Sequence, residues 1–303
     1  MQSRIQEKAN IGIVTFMAYP IGNGTGPIER SIGALAADNY FQLLEITCIV
    51  DDASRRKCQT ILQQNKKIPV FGSHPAIITN KLNLNHPDVS QRKKTIDVIK
   101  KHIDEAYTWR AAGLVVLSGP DPGEGLREKA KSLLIDSLKQ LCEYSASKGD
   151  MPITLEAFDR ASFGKNCLIG PSEEAAQVAE EVRKSYPGFG ILPDLSHIPL
   201  LNESPGQCLG ALKDYVTHAH VGNCVIRNKQ HPAYGDNHPR FGIAEGENGV
   251  DELAEFLGAL KEIGFFDGTK KPLSFELKPA ADENPEEVVK EAQEFLDKAW
   301  AKV

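Results

Sequence analysis

The chain has 303 residues, 41% of them hydrophobic and 25% charged, with a net charge of −6 and a pI near 5.8. That mix belongs to a folded protein able to bury a large core without staples, and the acidic balance argues against a nucleic-acid surface, which would show a basic stripe. The polar first ten residues carry no signal-peptide core, and no stretch reaches the ~20 apolar residues of a membrane span, so a cytoplasmic protein without membrane contact is expected.

Short apolar runs alternate with longer amphipathic ones along the whole chain. In order, the pattern predicts strand 11–18, helix 28–38, strand 43–50, helix 53–64, strand 68–73, helix 89–110, strand 113–117 and helix 127–148. The second half continues with strand 153–158, helix 173–185, strand 190–194, helix 206–215, strand 216–221, helix 250–263, strand 273–277 and helix 285–302. The strands are rich in Val, Ile, Leu and Phe and apolar on both faces, as a buried parallel sheet requires. In helix 250–263, Val250, Leu253, Phe256, Leu257 and Leu260 make one stripe. Asn284-Pro285-Glu286-Glu287 supplies an N-cap, a first-turn proline and early acids, and Ser172 reads as a cap in the same way.

No linker or composition break divides the chain, so one domain is expected over 1–303. Eight strand–helix units suit a closed (β/α)8 TIM barrel better than a doubly wound open sheet, which more often has fewer strands. Two long connections follow strand ends, 22–27 and 223–248, where barrel sites are built. The six cysteines, at 48, 58, 142, 167, 208 and 224, form no C-x-x-C pair and read as reduced and structural, Cys58 and Cys142 on apolar helix stripes.

Charged side chains are costly in apolar strands unless paired or ligating, yet each of the last four strands ends in one. The runs are Thr-Leu-Glu156, Pro-Asp194-Leu-Ser-His197, His218-Ala-His220-Val-Gly and Ser-Phe-Glu276-Leu-Lys. Neighbouring strand ends converge on one mouth, where several carboxylates without a cation would repel. Three carboxylates and an imidazole match the ligand preferences of Mn²⁺, Co²⁺, Mg²⁺ or Zn²⁺. The bland reading is a buried ion-pair network without metal, but only Lys278 lies near these ends to neutralise the acids.

Taken together in this order, the four motifs resemble the xylose-isomerase-like superfamily of sugar isomerases and epimerases, with its ketose 3-epimerase branch nearest. The resemblance implies that Glu156, Asp194, His220 and Glu276 hold one divalent ion, Mn²⁺ first among the candidates. It implies that Glu156 and Glu276 are the catalytic pair, moving a proton next to a sugar carbonyl through an enediolate. It further implies that His197 and Arg227 bind substrate, although the spacing of Arg227 is slightly off, and that the protein is a homo-oligomer. The family's further acidic residue is replaced here by Ser162. The segment 231–242, with His231, His238 and Arg240, is similar to the catalytic α subunits of C-glycoside deglycosidases, which implies a lyase alternative on the same ligands with a small β partner.

Several residues are read as structural. His218 should lie one layer below His220 on the same strand face. His231 and His238 read as loop or interface residues, His74 as a pocket-lining candidate, and His86 and His102 carry no signal. The glycine-rich strings 22–26 and 119–125 fit no phosphate-binding pattern and read as mouth loops. An abasic-site nuclease would need a histidine at the fourth strand end, where Leu117-Ser118-Gly119 stands, and a DNA-binding surface. A non-catalytic sugar-binding barrel would most simply show a broken ligand set, and this one is intact.

Overall fold

The computed structural model describes residues 4–19, 28–160 and 163–303, so the connection 22–27 and Ser162 lie outside the described residues. Eight strands form one sheet: β1 Asn10–Val14, β2 Leu43–Ile46, β3 Ile68–Gly72, β4 Leu114–Leu117, β5 Ile153–Glu156, β6 Gly190–Leu192, β7 Ala219–Val221 and β8 Pro272–Phe275. The ladder runs β6-β5-β4-β3-β2-β1-β8-β7, every pair parallel. Single bridges at Ile191↔Val216 and Asp194↔His220 join β6 to β7 and close the sheet on itself. The predicted TIM barrel is the observed one.

Gly190 shows how tight that closure is. A Cβ there would lie 1.8 Å from Thr217 Oγ1 and 2.7 Å from Thr217 Cβ, so only glycine lets the two strands approach.

Among the described residues, eight helices pack outside the strands: α2 Ile28–Ala37, α3 Asp52–Gln64, α5 Val89–Trp109, α6 Arg127–Ala146, α7 Ser172–Arg183, α8 Pro205–Leu212, α9 Val250–Glu262 and α10 Pro285–Trp300. Two short helices at strand ends break the expected pattern, α1 Thr15–Ala18 and α4 His74–Thr79. The strand expected to run to Ala18 therefore stops at Val14, because Thr15 leaves the ladder and its hydroxyl donates to the Glu45 carbonyl (2.7 Å). The Asn284 side chain accepts from Glu286 N as an N-cap should. Ser172 does not cap α7: it is the first helical residue, and its amide and hydroxyl both donate to Glu203. All six cysteines are free, and Cys58 and Cys142 are buried on their helices.

Strand alternation sorts the core into two shells. Outward residues such as Ile13, Leu44, Ile46, Leu155, Ala219, Val221, Leu273 and Phe275 meet the helices. Inward ones, Leu43, Val70, Val115 and Leu192, plug the barrel. The same period of two puts Glu45, Glu156, His218, His220 and Glu276 on the inner face, above that plug. No helix among the described residues is long and apolar enough to cross a membrane.

Candidate metal centre

Four inward side chains meet at the C-terminal mouth: Glu156 from the end of β5, Asp194 just past β6, His220 within β7 and Glu276 just past β8. Their ligand atoms all lie within 4.8 Å of one another, and all four residues are buried. His220 Nδ1 is 2.7 Å from Glu276 Oε2, 3.7 Å from Glu156 Oε1 and 3.8 Å from Asp194 Oδ2.

The hydrogen bonding of this group is incomplete in a telling way. Asp194 Oδ1 accepts from the Ser196 amide (2.6 Å) and hydroxyl (2.7 Å), which orients the carboxylate. Its Oδ2 accepts nothing, and neither does either oxygen of Glu156. His74 Nε2, at the start of α4, comes within 2.9 Å of Glu156 Oε2, but off the line of a hydrogen bond, so neither atom gains one. Buried acceptors left open cost free energy. A divalent ion with ligand distances of roughly 2.0–2.2 Å would sit among donors spaced like these and satisfy all of them, so the residues fit the ion.

A second cluster flanks the first. His197 Nδ1 donates to the Ala157 carbonyl (2.8 Å), which puts its Nε2 3.2 Å from Asp236 Oδ1. His238 Nε2 is 2.7 Å from the same oxygen, while Lys165 Nζ donates to Asp236 Oδ2 at 2.7 Å. His238 also lies 3.2 Å from Ser196 Oγ, 3.7 Å from Glu276 Oε1 and 4.0 Å from Asp194 Oδ2. Asp236 and His238 reach the mouth because the long connection after β7 folds back over it. Asn248 pins that loop by donating to the Leu195 and Gly222 carbonyls, and the Lys165–Asp236 pair ties it to the loop after β5.

Acids and imidazoles shift one another across both clusters. Burial alone would raise the Glu276 carboxyl, but His238 and His220 outweigh it and hold it down near 2. Burial opposes charge on Asp236 as well, yet His197 and His238 keep it well below the usual carboxylate range. Burial would lower the imidazoles. Asp236 and Asp194 instead push His197 up to about 10, Glu45 and Glu156 hold His220 well above its ordinary value, and Glu276 and Asp236 raise His238. Asp194 goes the other way: burial raises it, and the Glu276 charge adds to the rise against the pull of the histidines.

The structure thus brings together Glu156, Asp194, His220, Glu276 and, beside them, His197. Arg227 is not part of this group. Its side chain is 77% exposed and bound to Glu247 Oε2 at 2.6 Å. Arg240 points away as well, to Glu283 (2.7 Å). His238 lies on the loop, as expected, but is 1% exposed and buried at the mouth beside Asp236 rather than at the surface. His218 lies a layer below His220, 3.0 Å from Glu45 Oε1 and 3.3 Å from Ser274 Oγ. Three further site residues carried a weaker sequence signal or none. Glu45 interrupts the apolar run Leu43-Leu44-Glu45-Ile46, the same anomaly that marked the last four strands. Asp236 and Lys165 lie in loops, where no periodicity places them.

A parallel eight-stranded barrel with a group of candidate metal ligands at its C-terminal mouth is the class that fold and site define. The chain belongs to the xylose isomerase-like TIM barrel family, whose model matches residues 20–299. No curated protein matches the sequence. Among solved structures, the chain is similar to an IolI protein with a bound zinc atom (16% identity, TM-score 0.73, covering 97% of this chain and 98% of that one). It is also similar to a D-tagatose 3-epimerase-like protein (20%, 0.69, 95% and 98%) and to D-psicose 3-epimerase of Clostridium cellulolyticum H10 with D-tagatose (16%, 0.62, 97% and 96%).

Proposed function

We propose that this protein is a sugar isomerase or epimerase that uses one divalent ion, Mn²⁺ foremost, and moves a proton on the carbon next to a sugar carbonyl. The observation that carries this is the convergence of Glu156, Asp194, His220 and Glu276 with three buried carboxylate oxygens left without hydrogen bonds. The epimerase and zinc-bearing neighbours in the same fold support it.

An ion held by the four residues supplies Lewis acidity to the carbonyl and lowers the barrier to losing the adjacent proton. The remaining work falls to side chains of the protein. Glu156 and Glu276 come from β5 and β8 and approach the pocket from different sides. One carboxylate takes the proton, forming an enediolate, and the other returns one to the opposite face, which inverts the centre; return to the neighbouring carbon isomerises instead. His197, held at Nδ1 by the Ala157 carbonyl, offers Nε2 to a substrate oxygen, with Asp236 and His238 beside it. Arg227 would reach substrate only by leaving Glu247. A cytoplasmic, homo-oligomeric protein is part of the same proposal, and the six free thiols support that compartment.

One observation favours a second reading, a lyase that eliminates a leaving group after the same proton abstraction. The loop after β7 delivers Asp236 and His238 into the pocket, and an elimination needs such an additional proton donor at the departing group. A small β partner would belong with that reading.

The test is proton exchange in D₂O. Mn²⁺-loaded protein is incubated with ketoses and 3-keto-glycosides and followed by proton NMR, with Glu156→Gln and Glu276→Gln alongside. Exchange in the wild type that vanishes in either variant is expected, and the product then separates epimer, isomer and eliminated aglycone. Metal-loaded protein that exchanges no proton in either class would sink the proposal.

A further inference from the structure

Glu45 is the one carboxylate of the pocket that β2 supplies, and the proposed reaction gives it nothing to do. It is 1% exposed, mid-strand, between Leu44 and Ile46, which both face the outer core. An apolar side chain would pack here without desolvating a charge, so the carboxylate needs an explanation. Its Oε1 lies 2.9 Å from His220 Nε2 and 3.0 Å from His218 Nε2. Both contacts are hydrogen-bond distances to one oxygen, so the two imidazoles hold this carboxylate from above and below.

The two nitrogens of His220 therefore face different partners. Nε2 points across the barrel to Glu45, 175 residues away in sequence. Nδ1 points to Glu276, Glu156 and Asp194. An imidazole that ligates through one nitrogen keeps its proton on the other, and a carboxylate accepting that proton fixes the ring and makes the ligating nitrogen more basic.

We infer that Glu45 is the positioning residue of the metal centre, holding the His220 proton on Nε2 and presenting the Nδ1 lone pair to the ion. This rests on the metal reading above. His218 shares the same oxygen and keeps the Glu45 carboxylate in place, and the Thr15 hydroxyl fixes its backbone carbonyl.

Glu45→Gln keeps the shape and removes the charge. Its affinity for Mn²⁺ and Zn²⁺, measured by calorimetry at constant pH, is expected to fall about 10–100-fold, with activity recovering toward wild type as metal is raised. In Zn²⁺-loaded wild type, ¹⁵N NMR of the imidazoles should show His220 bound through Nδ1, with a protected, downfield Nε2–H. That resonance should lose its downfield shift in Glu45→Gln. The wild-type spectrum needs no variant, so it decides the matter even if Glu45→Gln fails to fold. An affinity within about threefold of wild type, or ligation through Nε2, overturns the inference alone. Wild-type protein that binds neither ion overturns both this inference and the reading beneath it.

Discussion

Stripping divalent ions with EDTA and adding them back singly should move the melting temperature by an amount the structure allows us to work out. The four candidate ligands come from four strands spread over residues 156–276, so the unfolded chain presents no comparable site and the ion stabilises only the folded state. At 100 times its dissociation constant a ligand contributes about 2.7 kcal/mol. An unfolding entropy of about 2.1 cal/mol/K per residue gives this 303-residue chain about 0.64 kcal/mol/K. The expected rise is then about 4 °C, followed by about 2 °C for each further tenfold in ion concentration. Differential scanning fluorimetry against Mn²⁺, Co²⁺, Mg²⁺ and Zn²⁺ reads this directly. Asp194→Asn is the control: the amide oxygen can keep both bonds from Ser196, but the open oxygen Oδ2 becomes an uncharged NH₂. Its curve should move to at least tenfold higher ion. A wild-type melting temperature indifferent to all four ions, or an Asp194→Asn curve that overlays the wild type, would refute the reasoning.

Three further outcomes are expected. Gly190→Ala pushes a methyl into Thr217, whose own Cβ no rotamer change can move, and should cost about 1–3 kcal/mol in urea unfolding; an unchanged midpoint would contradict the closure described at β6 and β7. In EDTA, the raised values of His197, His220 and His238 give stabilisation that is complete below about pH 6.5 and is lost as pH climbs toward the folded-state values, about 10 for His197. The melting temperature of metal-free protein should therefore fall from pH 6.5 to 10, and a flat profile would count against the imidazole charges. Finally, His238→Ala should lower kcat/KM at least about tenfold, while Arg227→Ala, exposed and paired to Glu247, should stay within about twofold on steady-state assay; the reverse order would return Arg227 to the site.

Much of this was legible because a buried parallel sheet writes itself as short apolar runs. Every strand was found, and most overruns lie at the mouth, where the backbone leaves the ladder to aim a side chain; the seventh strand also begins three residues later than expected, at Ala219. The first run continued apolar through Phe16-Met17-Ala18 and so read as strand, although Thr15 had already turned into α1. Glu156, Asp194, His220 and Glu276 stood out as charges ending apolar runs. Glu45 made the same signal in β2 but lay outside the block of four that matched a ligand set. Asp236 and His238 had no comparable mark. Their placement depends on Asn248, Lys165 and the path of a loop more than ten residues long, and such tertiary contacts leave no period in the sequence. Arg227 came from the family resemblance, at a spacing slightly off within that same loop, where spacing carries little geometric meaning.

The contact between Glu45 and His220, and the arrival of Glu276 only on the last strand, bear on how the protein is made. Ribosomes add about 5–20 residues per second, so the first candidate ligand, Glu156, precedes the last, Glu276, by roughly 6–24 s of synthesis. No nascent stretch holds all four ligands before residue 276 has emerged. Full ion capture on the proposed site thus waits until β8 has been made. On that proposal, the metal acquired would reflect which ions are free when β8 docks between β1 and β7, as well as the order of affinities that a carboxylate-rich site would impose at equilibrium.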